Sequence, residues 1–125
     1  MEEYLLDTSS ILNILDGNKK GEATIELIRT GELITSILCY CEALNKLDLN
    51  KLKKAEEFLS KIGLYQLTLA DGFLAKEIQH TCRKNGGQVS TIDALIAATA
   101  HNNKSTLITS DSDFNRIEQV NKKIV

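Results

Sequence analysis

The chain has 125 residues, a length typical of one domain, and we expect a single domain over residues 1–125. Its content of 42% hydrophobic and 26% charged residues is ordinary for a globular protein. The formal net charge of −2 argues against a protein that coats nucleic acid through a general excess of positive charge. No signal peptide or long apolar run is visible, and the odd number of 3 cysteines indicates buried thiols in a reducing compartment. We therefore expect a cytoplasmic protein with no membrane partner.

The first half of the chain alternates short apolar runs with helical patterns. An apolar run at residues 4–6 predicts a strand that ends at Asp7, and a short helix follows and ends at Gly17. The next predicted elements are a helix at 22–30 that ends at Gly31, a strand at 33–35, a helix at 37–47 that Ser36 caps, and an amphipathic helix at 50–62 that ends at Gly63.

The second half continues the alternation. The predicted elements are a strand at 64–69, a helix at 70–84, a break at 85–87, an apolar helix at 92–100 and a strand at 106–109, and residues 123–125 are compatible with a fifth strand. Strands that alternate with helices predict a doubly wound α/β fold, in which helices flank a parallel sheet of about five strands.

The position of two acids suggests where a ligand binds in such a fold. Asp7 and Asp111 each follow the end of a predicted strand. Ligands of doubly wound sheets bind at the carboxyl ends of the strands, where the strand order reverses. If the two strands are neighbours, the two acids meet at one site.

A third acid lies in an unexpected place. The helix at 92–100 is apolar on nearly every side and is therefore expected in the core, yet its first turn carries Asp93, with Ile96 and Ala97 at helical spacing. An ionised carboxylate in apolar surroundings is costly unless a cation or hydrogen-bond donors compensate it. We therefore expect other acids to meet Asp93 around a divalent metal ion.

Each of these acids also has a purely structural interpretation. Residues 90–93 fit a capping box, and Asp7 could cap the short helix that follows it. Glu42 lies four residues before Lys46, a spacing typical of a solvated ion pair on a helix. The local sequence leaves both interpretations open.

The acidic segment at 111–115 allows two further structural interpretations. Asp111 and Asp113 belong to a turn rich in residues that form Asx-turns. The segment also begins like an EF-hand calcium loop, but Arg116 and Lys122 occupy the positions where that loop needs glycine and glutamate. We therefore exclude an EF-hand.

Taken in order along the chain, the acidic motifs resemble those of PIN-domain nucleases. The matching segments are Asp7-Thr8-Ser9, Glu42, residues 91–98 and residues 109–114. The resemblance covers essentially the whole chain, and a stand-alone domain of this length is most similar to the VapC-type toxins of toxin–antitoxin pairs. It implies a PIN-like sheet with strand order 3-2-1-4-5.

The resemblance also implies roles for individual residues. The expected metal-binding and catalytic acids are Asp7, Glu42, Asp93 and Asp111. Asp113 matches a second acidic position that could assist or replace Asp111 as a metal ligand. The polar residues that would orient the site are Thr8, Ser9 and Thr109. The residues after Glu42 are less characteristic of the family than the other motifs.

Clustered carboxylates of this kind suit Mg²⁺ or Mn²⁺ as the cofactor. Such an ion lowers the pKa of bound water and neutralises charge on a phosphate. The resemblance implies an endoribonuclease that hydrolyses an RNA phosphodiester bond and leaves a 5′-phosphate and a 3′-hydroxyl. This chemistry needs no side-chain nucleophile, which is consistent with the lack of a Ser-His-Asp set.

An RNA substrate also needs contacts to its phosphates, for which basic residues are candidates. These residues are Lys46, Lys51, Lys53, Lys54, Arg83 and Lys84. For any one of them, a place on a solvated helix face is the favoured interpretation. The aromatic content of 5% predicts no extensive platform for base stacking.

The resemblance further implies a homodimer and an antitoxin protein whose tail occupies the acidic site. We expect such contacts at exposed apolar positions of the helices at 37–47 and 52–62. Two alternatives stay open: a PIN-domain RNA-processing nuclease outside toxin–antitoxin pairs, and a catalytically inactive PIN module that binds proteins. A phosphoacceptor receiver domain is disfavoured, because the first strand supplies only Asp7 and no lysine lies at the strand end where a receiver needs one.

Overall fold

The computed structural model describes all residues from Met1 to Val125. Five strands alternate with six α-helices, and a 3-10 helix lies between the last two strands. In chain order the elements are β1 (Glu3–Leu6), α1 (Thr8–Asp16), α2 (Lys19–Ile28), β2 (Glu32–Ser36), α3 (Ile37–Lys46), α4 (Leu49–Leu59), β3 (Gly63–Tyr65), α5 (Leu69–Lys84), α6 (Thr91–Asn102), β4 (Thr106–Thr109), the 3-10 helix (Ser112–Arg116) and β5 (Lys122–Ile124).

All five strands are parallel, in the order β3-β2-β1-β4-β5, which confirms the predicted doubly wound α/β fold and strand order. β1 lies at the centre, with Leu5 opposite Ile34 of β2 and Leu107 of β4. The strand order reverses beside β1, so the carboxyl ends of β1 and β4 form the switch point. Asp7 follows β1 directly, and Asp111 follows β4 after one residue.

The core explains why the central strands are apolar throughout. Leu5, Leu6, Leu107 and Ile108 are completely buried because helices cover both faces of the sheet. On α6, alanines at four buried positions allow close packing against α5, α3 and β4. The predicted burial of this helix is therefore confirmed.

Helix boundaries follow local signals at several points. α1 ends at Gly17, whose φ of 69° lies in the left-handed region that glycine adopts without strain. Gly21 of α2 lies so close to α1 that a Cβ there would be 2.1 Å from the carbonyl oxygen of Asn13. The Ser36 side chain accepts a hydrogen bond from the backbone N–H of Cys39 at 3.1 Å, which confirms the predicted cap of α3.

Two predicted boundaries are wrong. α2 begins at Lys19 rather than residue 22, because the Asn18 side chain caps it through the backbone N–H of Gly21. The third strand covers only Gly63–Tyr65, although the alternating pattern extends to residue 69. It is short because Thr68 and Asp71 form a capping box that begins α5 at Leu69.

The exposed apolar surface differs from the expectation. The large side chains of α3 are at least partly covered, and on α4 the exposed one is Leu49. Several exposed large side chains lie instead around β3 and the start of α5, namely Leu64, Leu67, Leu69 and Phe73. None of the helices combines the length and apolar character that a membrane span requires.

Candidate active site

Asp7 is positioned by the end of the central strand. Its side chain does not cap α1, so the structural interpretation of this acid is wrong. Its Oδ2 instead accepts hydrogen bonds from Thr109 Oγ1 at 2.7 Å and from Ser9 Oγ at 3.1 Å. The residue is only 5% exposed, and burial raises the pKa of its carboxyl above the ordinary value despite these donors.

Glu42 reaches the same place from α3. Its Oε1 accepts a hydrogen bond of 2.5 Å from Thr8 Oγ1, which ties α3 to the start of α1. The predicted ion pair with Lys46 is absent, since the two ion pairs of the structure are Arg29–Glu26 and Arg116–Asp113. The carboxylate of Glu42 is therefore directed by a neutral hydroxyl rather than neutralised by a lysine.

Asp93 lies in the first turn of α6 and is half-buried. Ser90 caps the helix by accepting a hydrogen bond from the Asp93 backbone N–H at 3.1 Å. The reciprocal bond from the Ser90 backbone to the Asp93 carboxylate is not formed, so the capping box is incomplete. The pKa of Asp93 is raised to about 6, mainly by burial and next by the negative charge of Asp7, with smaller effects from Asp111 and Glu42.

Asp111 and Asp113 occupy different environments although they are two residues apart. The backbone N–H of Asp111 donates to Thr109 Oγ1 at 3.0 Å, and its Oδ1 accepts from the Asp113 backbone N–H at 2.9 Å. The predicted Asx-type turn is therefore present, and it begins the 3-10 helix. Asp113 is exposed, and its carboxylate lies 4.0 Å from Arg116.

One pocket of about 450 Å³ collects the acids from four separate segments. The predicted site residues that line it are Asp7, Thr8, Ser9, Glu42, Lys46, Asp93 and Asp111. We call this the acidic pocket. Asp113 is not among its lining residues, because the 3-10 turn directs it towards Arg116; this geometry does not support the predicted ligand role of Asp113.

The donor set of the acidic pocket fits a hard divalent cation, although no three of the chain's His, Cys, Asp or Glu side chains are grouped closely enough to bind one ion together. Mg²⁺ usually keeps several waters and takes only one or two direct carboxylate ligands. The pocket offers carboxylate oxygens as ligands. A cation bound there would reduce the repulsion among the carboxylates and lower the raised pKa of Asp93. The residues present therefore fit Mg²⁺ or Mn²⁺ held partly through water.

Polar residues that the sequence did not single out complete the support of the site. The Ser110 backbone N–H donates to Ser9 Oγ at 3.0 Å, and Asn13 Nδ2 donates to Ser110 Oγ at 3.0 Å. These bonds hold the start of α1 against the loop that follows β4. The position of Ser110 directly after a strand could have predicted a role at the site, but nothing in the local sequence predicts one for Asn13.

The candidate RNA-binding residues do not form one group. Lys46 lines the acidic pocket, and Lys51 and Lys54 line a smaller neighbouring cavity of about 90 Å³. Arg83 lines a different cleft, together with Arg116. Two further candidates, Lys53 and Lys84, are exposed and line none of these cavities.

The sequence matches the PIN domain over residues 4–120, which include all four acids of the pocket. The chain belongs to the PIN domain family. The doubly wound sheet is thus that of a PIN domain. No match to a curated protein sequence reaches significance.

Solved structures of other PIN-fold chains superpose along nearly the whole domain. A chain of VapBC2 from Rickettsia felis, bound to a DNA fragment from its promoter, is 20% identical with a TM-score of 0.83 and 98% coverage of both chains. VapBC-1 from nontypeable Haemophilus influenzae gives 20% identity, a TM-score of 0.78 and coverage of 98% and 97%. VapC20 from Mycobacterium tuberculosis, a toxin that cleaves the sarcin–ricin loop, is 16% identical, with a TM-score of 0.71 and coverage of 94% of this chain and 98% of that one. At these identities the likeness concerns the fold.

Proposed function

We propose that this PIN domain is a metal-dependent endoribonuclease that hydrolyses RNA phosphodiester bonds with Mg²⁺ or Mn²⁺. The observation that carries the proposal is the convergence of Asp7, Glu42, Asp93 and Asp111 on one pocket from four segments far apart in sequence. Membership of the PIN family supports nuclease chemistry, and the name of one structural neighbour describes an RNA-cleaving toxin.

The residues of the acidic pocket would have different roles in the reaction. Asp7, Glu42, Asp93 and Asp111 would hold the cation, directly or through water. When bound, the cation supplies an activated water and neutralises charge on the phosphate. The remaining chemistry is positioning by this chain's own polar groups.

Hydroxyl groups fix two of the four carboxylates, those of Asp7 and Glu42. Thr109 and Ser9 orient Oδ2 of Asp7, and Thr8 orients Oε1 of Glu42. Hydroxyls neutralise no charge, so the carboxylates stay fully available to a cation. Lys46 lines the same pocket and is the residue that would contact a phosphate there.

The experiment is cleavage of a labelled single-stranded RNA, with DNA of the same sequence as the comparison. We expect cleavage with Mg²⁺ or Mn²⁺, no cleavage with EDTA, and 5′-phosphate product ends. Asp7→Asn should lower the rate by at least about 100-fold, because the substitution removes a central ligand charge. Asp48→Asn is the matched control, since Asp48 is exposed and makes no side-chain cap bond. Equal rates for wild type and Asp7→Asn would reject the mechanism.

We further propose that the nuclease is the toxin of a type II toxin–antitoxin pair and acts as a homodimer. Structural neighbours of matching length are toxin–antitoxin complexes by name, including one from Klebsiella pneumoniae. Induced expression should arrest bacterial growth, and Asp7→Asn should not. Sedimentation of the purified chain at twice its monomer mass of 13.9 kDa would support the dimer. Cleavage in vitro without growth arrest would favour an RNA-processing nuclease instead.

A further inference from the structure

A cleft that contains two arginines lies beside the acidic pocket. It has a volume of about 360 Å³ and is lined by Arg83, Gln88, Val89, Ser90 and Arg116. We call it the arginine cleft. The two arginines come from different elements, one from the last turn of α5 and the other from the end of the 3-10 helix. The cleft is therefore a product of the tertiary structure rather than of one basic helix face.

The arginine cleft adjoins the acidic pocket. Ser90, the cap of α6, lines both cavities. On the other side, Gln88 and Arg116 also line a larger depression of about 650 Å³ formed with the loop at 85–87. A strand that leaves the acidic pocket past Ser90 would therefore reach the arginine cleft.

The charge of the arginine cleft is opposite to that of the acidic pocket. No acidic residue lines it. Arg83 takes part in neither of the two ion pairs of the structure. Arg116 Nη1 donates to the Gln88 carbonyl oxygen at 2.9 Å, and its Nη2 lies 4.0 Å from the exposed Asp113 carboxylate, a weak surface contact. Both guanidinium groups therefore keep donors free for a ligand.

This arrangement matches a phosphodiester chain. A strand that places one phosphate among four carboxylates experiences repulsion there, so cations must hold it on the flanks. Guanidinium groups bind phosphate oxygens through paired N–H donors. Two arginines beside Ser90 stand where the next part of such a strand would lie.

We propose that the arginine cleft binds a backbone phosphate of the RNA strand whose scissile bond lies in the acidic pocket. Arg83 and Arg116 are then positioning residues that set the path of the substrate from the acidic pocket past Ser90. The proposal rests on the proposed nuclease function, and it identifies a ligand contact that the local sequence does not indicate for Arg116.

The experiment measures binding separately from cleavage. Anisotropy of a fluorescein-labelled single-stranded RNA is recorded with Asp7→Asn protein in MgCl₂ over a series of KCl concentrations. Adding Arg83→Ala and Arg116→Ala together should raise the Kd about tenfold or more and reduce the slope of log K against log salt by about 0.7, the change expected when one phosphate of a single strand is no longer neutralised. Arg83→Ala alone should reduce the slope by about half that amount.

Two controls separate binding from structural effects. Arg29→Ala removes an exposed arginine just after the end of α2, at the opposite end of the sheet, and should leave Kd and slope unchanged. Arg116→Lys keeps the charge but not the guanidinium contact to Gln88, so it should retain the slope. If Arg116 merely anchors the loop, Arg116→Lys would behave like Arg116→Ala, and the proposal would fail for that residue.

The outcomes distinguish this proposal from the proposed function. A wild-type protein that binds RNA through both arginines but never cleaves it rejects the nuclease and supports the cleft. An unchanged Kd and slope in the double variant, or no measurable RNA binding in its parent, overturns the cleft proposal. The cleft proposal is also overturned if the double variant loses binding to a poly-glutamate peptide but binds RNA as tightly as its parent. That result would assign the cleft to an acidic protein segment.

Discussion

The hydroxyl of Thr109, at the end of β4, donates a 2.7 Å hydrogen bond to Oδ2 of Asp7, just beyond the end of β1. The same hydroxyl oxygen accepts the backbone N–H of Asp111 at 3.0 Å. Thr109 thus fixes one acid through its side chain and another through its backbone. Because it is fully buried, no water replaces it readily.

Replacement of this threonine by valine should weaken both stability and activity. Thr109→Val keeps the volume but removes one of the two hydroxyl donors to Oδ2 of Asp7 and leaves the Asp111 backbone N–H without its acceptor, at a cost of about 1–3 kcal/mol. Cleavage should fall about tenfold or more, because the carboxylate of Asp7 loses its orientation. Urea unfolding and RNA cleavage measure the two effects.

The matched control lies on the same strand. Thr106→Val removes a hydroxyl that donates to Glu2 Oε1, an exposed carboxylate that water can solvate instead. We expect a loss below about 1 kcal/mol and no loss of activity. Equal effects of the two substitutions would mean that the site geometry does not depend on Thr109.

Asp93 should destabilise the metal-free protein at neutral pH. Its pKa is raised from 3.8 to about 6, so between these values the folded state retains a proton that the unfolded state has released. The free energy of unfolding therefore falls as the pH rises through this range, and the whole penalty is present above pH 6. Asp93→Asn carries no charge and should remove the penalty, raising stability by about 1 kcal/mol once screening of this half-exposed group is considered.

Thermal denaturation in EDTA at acid and neutral pH tests this prediction. The melting temperature of Asp93→Asn should exceed that of wild type at pH 7.5 and should equal it near pH 4, where the wild-type carboxyl is protonated. Addition of Mg²⁺ should stabilise wild type more than the variant. A wild-type protein that is more stable than Asp93→Asn in EDTA at pH 7.5 would mean that Asp93 is compensated locally.

The two acids of the last motif should differ sharply in importance. Asp111 lines the acidic pocket, whereas Asp113 is exposed beside Arg116. Asp111→Asn should reduce cleavage by about 100-fold, and Asp113→Asn by no more than about twofold. Both variants keep an oxygen acceptor, so they form a matched pair for measurement of kcat and KM. The reverse ranking would identify Asp113 as the fourth ligand.

Local sequence predicts some of these features and cannot predict others. Strand ends and helix caps such as Ser36 depend on neighbouring residues, so they were predictable, and they place Asp7 and Asp111 at the same edge of the sheet. Whether Glu42 pairs with Lys46 or reaches Thr8 depends on how α3 packs against α1, and only the structure decides it. The meeting of Arg83 and Arg116 has the same origin.

Two segments with the same local pattern show this limit most clearly. Residues 68–71 and 90–93 both read as a hydroxyl residue followed three positions later by aspartate. In the first segment, Thr68 and Asp71 form the complete capping box. In the second, Asp93 faces the acidic pocket instead. The two aspartates differ because of their tertiary neighbours. The Asp71 carboxylate accepts hydrogen bonds from Thr99 and Asn102 of α6, whereas Asp93 lies beside other acids.

Asp71 should therefore be essential for stability and dispensable for chemistry. Its carboxylate is buried and accepts hydrogen bonds from the Thr68 backbone N–H at 3.0 Å, from Thr99 Oγ1 at 3.3 Å and from Asn102 Nδ2 at 2.8 Å. Asp71→Ala leaves these donors without an acceptor and should cost about 3 kcal/mol.

Activity should respond differently from stability in this variant. Thr99 and Asn102 lie in the second half of α6, whereas Asp93 lies in its first turn, so cleavage per folded molecule should stay within about twofold of wild type. Urea unfolding gives the stability, and cleavage at a temperature where the variant remains folded gives the activity. Asp71→Asn, which retains one acceptor oxygen, should fall between wild type and Asp71→Ala in stability. A loss of cleavage in fully folded Asp71→Ala would show that the packing of α5 against α6 sets the position of Asp93.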